Sequence, residues 1–421
     1  MSKVVKAKYT AEAVCGFTHR TAMEEAARCL LCHDAPCSQG CPAGTDPAKF
    51  IRSIRFRNVK GAAETIRENN ILGGTCARVC PYDRLCEEAC SRCGIDRPIE
   101  IGKLQRYAIE QERVFGMRTL KAPEEKKAGK VACVGAGPAS LACAAELAKA
   151  GYDVTIFERE EKAGGVLTYG IVPSRLPQEV VDHDIAQAEG LGIKFEFGKN
   201  VNAADLDGFD AVFIGTGLWG TRVPDIEGKD LAGVWAAADF LKEARTKGEA
   251  FDPGKRVVVV GGGDVTVDCA VTAKLLGAED VKIVYRRTLE EAPGNMTEFQ
   301  YALELGIGIT TGMAPMAVKG DGKAETAVFK GFRDDAAQMR ISADTIVFAT
   351  GQGPEDMTKI APVRLTEKGT IEAAEDGTTS ADRYFAAGDI VNGGKTVVEA
   401  VAAGKAAGAS MIAYLEKKGV K

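Results

Sequence analysis

Hydrophobic and polar positions follow two different patterns along the chain. Up to about residue 122 the apolar residues recur at helical spacing. Ala22–Leu31 has a helical pattern. Pro47–Ile66 sets Phe50, Ile51, Ile54 and Ile66 among interleaved arginines and lysines, as on a solvated helix with one buried face. Ile101–Phe115 forms a third such stretch, and Cys-Pro and Gly-Gly steps break the pattern between them. No strand-like alternation stands out here. Lys121–Lys130 is polar with one proline and predicts a linker.

Beyond Lys130 strand-like runs alternate with helical ones. Val131–Val134, Ala139–Ala150 and Val154–Glu158 predict a strand–helix–strand unit. Arg256–Val260, Val265–Leu276 and Val281–Tyr285 predict a second. Their glycine turns lie 126 residues apart, which indicates two nucleotide-binding folds rather than a short-period repeat.

The length of 421 residues suits two or three domains, and 45% hydrophobic with 27% charged residues excludes disorder as the dominant state. No apolar run reaches the roughly 18 residues of a membrane span. Met1-Ser2-Lys3-Val4-Val5-Lys6 lacks the apolar stretch of a secretory signal, so a cytoplasmic location is expected. The net charge of −5 argues against nucleic acid as the main partner. That charge is uneven: residues 1–122 hold 20 Lys and Arg against 14 Asp and Glu, a net +6 that leaves −11 for the remainder.

Cysteine usage changes the picture most. Ten of the 13 cysteines precede residue 94. The odd count and tight spacing indicate metal rather than disulfides. One run is Cys29-x2-Cys32-x4-Cys37-x3-Cys41, and a second is Cys80-x5-Cys86-x3-Cys90. Thiolates at that density suit iron–sulfur clusters or zinc. Cys15, Cys133, Cys143 and Cys269 are expected to be small buried residues.

The first glycine turn is Gly135-Ala136-Gly137-Pro138-Ala139-Ser140, between a strand and a helix. Such a turn brings backbone N–H groups to a pyrophosphate. Glu158 ends the next strand, where an acid accepts from a ribose. The second turn is Gly261-Gly262-Gly263-Asp264-Val265-Thr266. Here Tyr285 stands in the place of the acid, followed by Arg286 and Arg287, and guanidinium groups suit the 2′-phosphate of NADPH. Further strand ends carry glycine at Ile214–Gly217, at Ala349-Thr350-Gly351 and at Phe385–Asp389. The last precedes a small-residue helix, Val397–Tyr414.

In this order, these features over residues 130–421 resemble flavoproteins with two dinucleotide-binding domains. The resemblance implies an NAD(P) domain inserted into the FAD domain. Asp389 would bond the ribityl chain, and the N-terminus of the helix after Thr396 would point at the flavin. The thioredoxin reductase branch keeps a CxxC disulfide in the NADPH domain, and the lone Cys269 cannot form one.

Cys29–Cys41, Arg78-Val79-Cys80-Pro81, Ile101–Gln105 and Phe50–Ile54 are similar to the N-terminal domain of dihydropyrimidine dehydrogenase. The whole chain resembles the separate electron-input subunit of the bacterial two-subunit enzyme and, more distantly, the glutamate synthase small subunit. The fold class expected is therefore α/β. A helical two-cluster iron–sulfur domain (1–122) precedes two Rossmann-like domains, one binding FAD (123–220 and 345–421) and the inserted one binding NAD(P)H (221–344).

The resemblance implies one [4Fe–4S] cluster on Cys29, Cys32, Cys37 and Cys90, and another on Cys41, Cys80, Cys86 and Gln105. Cys76 and Cys93 rival Gln105, because thiolate binds iron more strongly than an amide. Gly164, Gly165 and Arg175 match flavin-contacting pieces, whereas His19, His33 and His183 match no catalytic role. NADPH-using relatives carry a further arginine where this chain has Glu290-Glu291-Ala292-Pro293, which pulls against NADPH without reversing the slight preference for it that Arg286 and Arg287 imply.

The implied activity is an NAD(P)H-dependent oxidoreductase in which FAD takes the hydride and two clusters pass single electrons on. No acid–base residue is needed for that step, so none is assigned. The implied partner carries FMN and clusters and reduces uracil or thymine. Glutamate synthase or a ferredoxin-type acceptor would be another outlet for the same chemistry. A zinc-stabilised docking module joined to a diaphorase is the alternative of a different class.

Overall fold

The computed structural model describes residues 8–220, 223–334 and 336–420, so Met1–Lys6 lies outside the described residues. The chain divides into two compact units. Of the described residues, one comprises Val14–Thr168, Gln178–Leu218 and 354–420; the other comprises 8–13, Tyr169–Pro177 and those of Trp219–Gly353.

The larger unit begins with six helices: α1 (His19–Ala27), α2 (Pro36–Gln39), α3 (Pro47–Arg55), α4 (Val59–Asn69), α5 (Gly73–Val79) and α6 (Ile101–Val114). The stretch read as one helix from Pro47 is two, because the chain turns at Phe56–Asn58. Arg57 there has φ +61°, a conformation no α-helix passes through. Asp46 caps α3 and Asn58 caps α4 through their side chains. Phe50, Ile51, Ile54, Ile66, Leu104 and Tyr107 form the shared core.

After the irregular Lys121–Gly129, a five-stranded parallel sheet follows in the order β13-β4-β1-β2-β3. Its strands are β1 (Lys130–Val134), β2 (Asp153–Phe157), β3 (Lys194–Glu196), β4 (Ala211–Ile214) and β13 (Tyr384–Ala386). Helices α7 (Pro138–Lys149), α9 (Gln178–Gly190), α13 (Asp389–Asn392) and α14 (Val397–Lys417) accompany it, with the short α8 (Val166–Tyr169) after the second strand. β1 and β4 are buried almost throughout, so their sequences are continuous apolar runs rather than alternating ones.

The smaller unit repeats the plan. Its parallel sheet runs β5-β12-β6-β7-β8, with β5 (Val234–Ala236), β6 (Arg256–Gly261), β7 (Asp280–Tyr285), β8 (Gly308–Thr311) and β12 (Thr345–Ala349). Helices α10 (Ala237–Lys247), α11 (Asp264–Leu275) and α12 (Met296–Glu304) belong to it. A three-stranded antiparallel sheet, β9 (Met313–Lys319), β10 (Thr326–Gly331) and β11 (Gln338–Ser342), is a feature the hydrophobic pattern did not predict. Among the described residues no helix is long and apolar enough to cross a membrane.

Candidate functional site

In the helical region the two cysteine runs interleave in space. Cys29 lies within electrostatic reach of Cys32 and Cys90. Burial, with Cys90 and Cys29 close by, pushes the Cys37 thiol up to about 11. Cys32 Sγ donates to Ser91 Oγ at 3.4 Å, beside Cys90. These four residues form one group.

Cys80 belongs to a second group. A hydrogen bond with Cys76, then burial, then the nearness of Cys86 and Cys41 raise its thiol well above the ordinary value. Burial chiefly raises Cys86, with Glu87, Cys41 and Cys37 adding to it, so the two groups adjoin.

Such crowding opposes free thiolates, and bound iron supplies the positive charge that reverses this. Among the described residues no three His, Cys, Asp or Glu side chains converge as they would on a single ion. A four-iron cluster binds each thiolate at a separate iron, so neighbouring thiols that do not meet at one point suit it.

The rivals for the eighth position differ in placement. Gln105, buried on α6, donates from Nε2 to Gly73 O at 2.7 Å, at the start of the helix that leads to Cys80. Cys76 is buried on that helix and touches Cys80. Cys93 is exposed and turns to the carbonyls of Glu87 and Glu88 at 3.4 and 3.6 Å. Of the cysteines expected to be buried, Cys133, Cys143 and Cys269 are so. Cys15 is exposed, because it lies in irregular chain before α1.

Next to this region lies the first glycine turn. Gly135 has φ +87°, and a side chain there would fall 2.9 Å from Gly215 O, so both conformation and space require glycine. Gly137 is the N-cap of α7 and offers no side chain to its first-turn N–H groups. Ser140 Oγ is buried without a partner, and a side chain at Gly165 would meet Gly137, which brings Gly164-Gly165 across the turn. Open N–H groups, a spare hydroxyl and close backbone fit a pyrophosphate-bearing group such as FAD.

Glu158 is buried and accepts from the Ala136 and Glu160 N–H groups at 2.7 and 3.0 Å. Two backbone donors leave a carboxylate further acceptor capacity for a ribose. Gly388 (φ +79°) lies against Ala139, which brings Asp389 to the same end of the sheet. Asp389 accepts from Lys395 N–H at 3.1 Å, and burial pushes its carboxyl upward. Thr396 caps α14 in a reciprocal pair with Glu399.

The second turn repeats this chemistry in the smaller unit. Gly263 is the N-cap of α11 without a side-chain cap, and Thr266 Oγ1 is buried and unpartnered. Asp264 instead accepts from Asn295 N–H at 2.6 Å, and Gly294 N–H donates to Gly262 O at 3.1 Å. Val265 follows in the first turn of α11, and Ala349 pairs with Gly261 and leads into Thr350-Gly351.

Tyr285 packs its ring on Gly262. Arg286 and Arg287 are exposed, and the Arg286 guanidinium stacks 5.5 Å from the centre of the Phe332 ring. Glu291 accepts from Thr288 N–H at 3.0 Å and pairs with Arg333 at 3.1 Å; the Thr288 N–H leads in lowering its carboxyl pKa.

Arg175 also lies in the smaller unit, 3.5 Å from Asp268 and 3.4 Å from Glu298. The histidines have structural partners: His19 meets the Tyr107 hydroxyl at 2.7 Å, His183 meets Glu112 at 3.0 Å, and His33 lies exposed beside Asp34.

The motif reading missed a buried ionic network. Arg67, Glu112 and Asp184 are fully buried, with Arg67 bonded to Glu112 at 2.7 Å and to Asp184 at 2.6 Å. Asp184, on α9, also accepts from the Gly74 and Thr75 N–H groups at 3.2 and 2.7 Å and so caps α5.

Residues 6–117 match a family model described as dihydropyrimidine dehydrogenase domain II, 4Fe-4S cluster. Residues 129–404 match the pyridine nucleotide-disulphide oxidoreductase model. The chain is 45% identical over 416 residues to the NAD-dependent dihydropyrimidine dehydrogenase subunit PreT of Escherichia coli K12, covering 97% of this chain and 98% of that one. The same subunit of Salmonella typhimurium LT2 is 43% identical at the same coverage. The NADPH glutamate synthase small chain of Escherichia coli K12 is 34% identical over 95% of this chain and 93% of its own. Among solved structures, a thioredoxin reductase from Lactococcus lactis superposes with a TM-score of 0.58 at 21% identity, covering 69% of this chain and 99% of that one.

Proposed function

The chain belongs to the family of the NAD-dependent dihydropyrimidine dehydrogenase subunit PreT, and on that premise we propose that it is the electron-input subunit of a two-subunit pyrimidine-reducing enzyme. It takes reducing equivalents from NAD(P)H and delivers single electrons to a partner subunit that carries FMN and further clusters and reduces the 5,6 double bond of uracil or thymine. One observation carries the reading: the groups Cys29/Cys32/Cys37/Cys90 and Cys41/Cys80/Cys86 share a compact unit with the first glycine turn.

When bound, FAD and two [4Fe–4S] clusters supply the conversion of a two-electron donor into one-electron traffic. The chain supplies binding and orientation. Gly135, Gly137, Pro138, Ala139 and Ser140 would hold the FAD pyrophosphate, with Glu158 on the ribose, Gly164 and Gly165 across the turn, and Gly388, Asp389 and Thr396 on the flavin side. Gly261, Gly263, Asp264, Val265 and Thr266 would hold the nicotinamide dinucleotide, with Ala349, Thr350 and Gly351 beside them. No side chain is given a proton to move. Residues 1–122 would be the cluster domain, 123–220 with 345–421 the FAD domain and 221–344 the NAD(P)H domain, except that Tyr169–Pro177 and 345–353 fold with the last, because β12 pairs with β6 and continues its sheet.

For the coenzyme the geometry favours NADH over the NADPH expected from Arg286 and Arg287 alone. Glu291, whose carboxyl the Thr288 N–H holds below the usual value, stands by Arg287 and pairs with Arg333, so it competes with a 2′-phosphate for those guanidinium groups, while Arg286 is engaged on Phe332. Glu291→Gln is expected to improve kcat/KM for NADPH severalfold while leaving that for NADH within about twofold. Equal changes for both coenzymes would remove Glu291 from the discrimination.

Glutamate synthase or a ferredoxin-type acceptor is the second reading, through the 34% identical small chain. The cysteine spacing and the higher identity of the pyrimidine-enzyme relatives favour the first. The decisive measurement is iron and acid-labile sulfide per FAD in anaerobically isolated protein. About eight irons per flavin are expected for two four-iron clusters. Zinc in place of iron would make the N-terminal region a docking module, and four irons would leave one cluster.

A further inference from the structure

Lys405 lies in the middle of α14, and its neighbour Gly404 seats that helix against Ala139 at the start of α7. The lysine leaves α14 in the direction of the cysteine region. Its ammonium donates to Ala43 O at 2.6 Å and to Asn69 O at 2.7 Å. Ala43 is two residues beyond Cys41, and Asn69 is the last residue of α4. A side chain at Gly44 would lie 3.9 Å from the same ammonium.

No carboxylate among the described residues pairs with Lys405, whereas Lys149 beside it is paired with Glu146 at 2.5 Å. Burial chiefly lowers the Lys405 pKa and the neighbouring Lys149 charge lowers it further, while Glu146 and then Cys41 act electrostatically to raise it. A tie between two carbonyls could be made by a neutral amide at less desolvation cost. A half-buried ammonium held by two carbonyls rather than by a bonded carboxylate keeps its charge available to other anions, and besides Glu146 the anionic chemistry it faces, through its bond to the Ala43 carbonyl, is the ligand set that includes Cys41.

We propose that Lys405 is a positioning and charge-tuning residue that raises the reduction potential of the cluster bound through Cys41, Cys80 and Cys86. The inference rests on the two-cluster reading above. Adding one electron to that site makes and breaks no bond and needs no proton. It adds one negative charge to a set that already holds three thiolates. A fixed positive charge therefore stabilises the reduced form over the oxidised one, and net charge near a cluster is an established lever on its potential. The cluster on Cys29, Cys32, Cys37 and Cys90 has no such contact with Lys405.

The test is a redox titration followed by electron paramagnetic resonance on the full chain with its clusters assembled anaerobically. It compares the native protein with Lys405→Arg, Lys405→Gln and Lys405→Met. A parallel Cys86→Ala protein identifies which signal belongs to the second cluster. Lys405→Met and Lys405→Gln are expected to lower the reduced-to-oxidised ratio of that cluster about tenfold at a fixed potential, which is about 59 mV for a one-electron couple. The other cluster and the flavin should stay in place, and Lys405→Arg should stay near the native value.

Lys405→Gln keeps a hydrogen-bond donor without the charge, so it tests the charge even if Lys405→Met assembles poorly. A fully loaded Lys405→Gln protein with native potentials at both clusters would overturn the proposal and leave Lys405 as a tether. An equal shift of both clusters would overturn it too. Failure of the two-cluster reading shows itself separately, as missing iron in the native protein before any variant is made.

Discussion

Arg67→Met is expected to destabilise the larger unit by about 3–5 kcal/mol, the usual cost of stranding buried charges. The arginine is fully buried with Glu112 and Asp184, and it also donates to Ile71 O at 2.5 Å. Removing it leaves two buried carboxylates with no guanidinium between them; among the described residues Glu112 keeps only His183 and Thr119, and Asp184 only the Gly74 and Thr75 N–H groups. The damage should reach the cysteine region, because Asp184 caps α5, which leads to Cys80, and Gln105 is bonded to the first residue of that helix. Thermal unfolding and iron retention should therefore fall together. Unchanged unfolding would show that the network is replaceable.

The same network sets an acid limit. Burial alone would raise the Glu112 carboxyl, but the His183 hydrogen bond, Arg67 and Thr119 outweigh it and hold it at about 2. An unfolded glutamate titrates near 4.3. A depressed folded pKa contributes stability that is present above that value and lost as pH falls towards about 2. Glu112→Gln should flatten the stability loss in that window, and an unchanged acid limb would assign it to other carboxylates.

Much of the fold could be read directly from the sequence, for a physical reason. Strands buried on both faces, such as β1 and β6, show as unbroken apolar runs ended by glycine, and nothing local competes with that signal. The helix break at Phe56–Asn58 was hidden because Phe56 continues the apolar pattern although it is 70% exposed. The antiparallel sheet β9–β11 was missed because several of its positions are exposed, so its apolar alternation is weak.

The site divides in the same way. Glycine turns carry their chemistry in local spacing and could be found directly. The buried triad could not, since Arg67 meets partners 45 and 117 residues away and looks, in sequence, like any surface arginine on an amphipathic helix. The grouping of the cysteines came from resemblance, because spacing alone cannot show that Cys90 crosses to the first run. Arg175 matched a flavin-side segment by sequence, yet its ion-pair partners Asp268 and Glu298 lie in the smaller unit.

That crossing makes the cysteine variants the sharpest test of the electron path. Cys90→Ala and Cys86→Ala are each expected to lower iron from about eight to about four per FAD, and the double variant to near zero. The two single variants should lose different paramagnetic signals, since Cys90 neighbours Cys29 and Cys37, while Cys86 neighbours Cys41 and Cys80. Oxidation of NADH by a dye that draws on the flavin should persist within about twofold in all three, because the glycine turns are untouched. On the proposed path through two clusters to a partner subunit, delivery of single electrons should be lost in each, because a relay in series fails when either cluster is missing. Cys93→Ala should keep all the iron, because that thiol faces its own loop carbonyls. Cys76→Ala and Gln105→Ala then divide the remaining question. Loss of four irons with Gln105→Ala and none with Cys76→Ala assigns the amide, and the reverse assigns the buried thiol that touches Cys80.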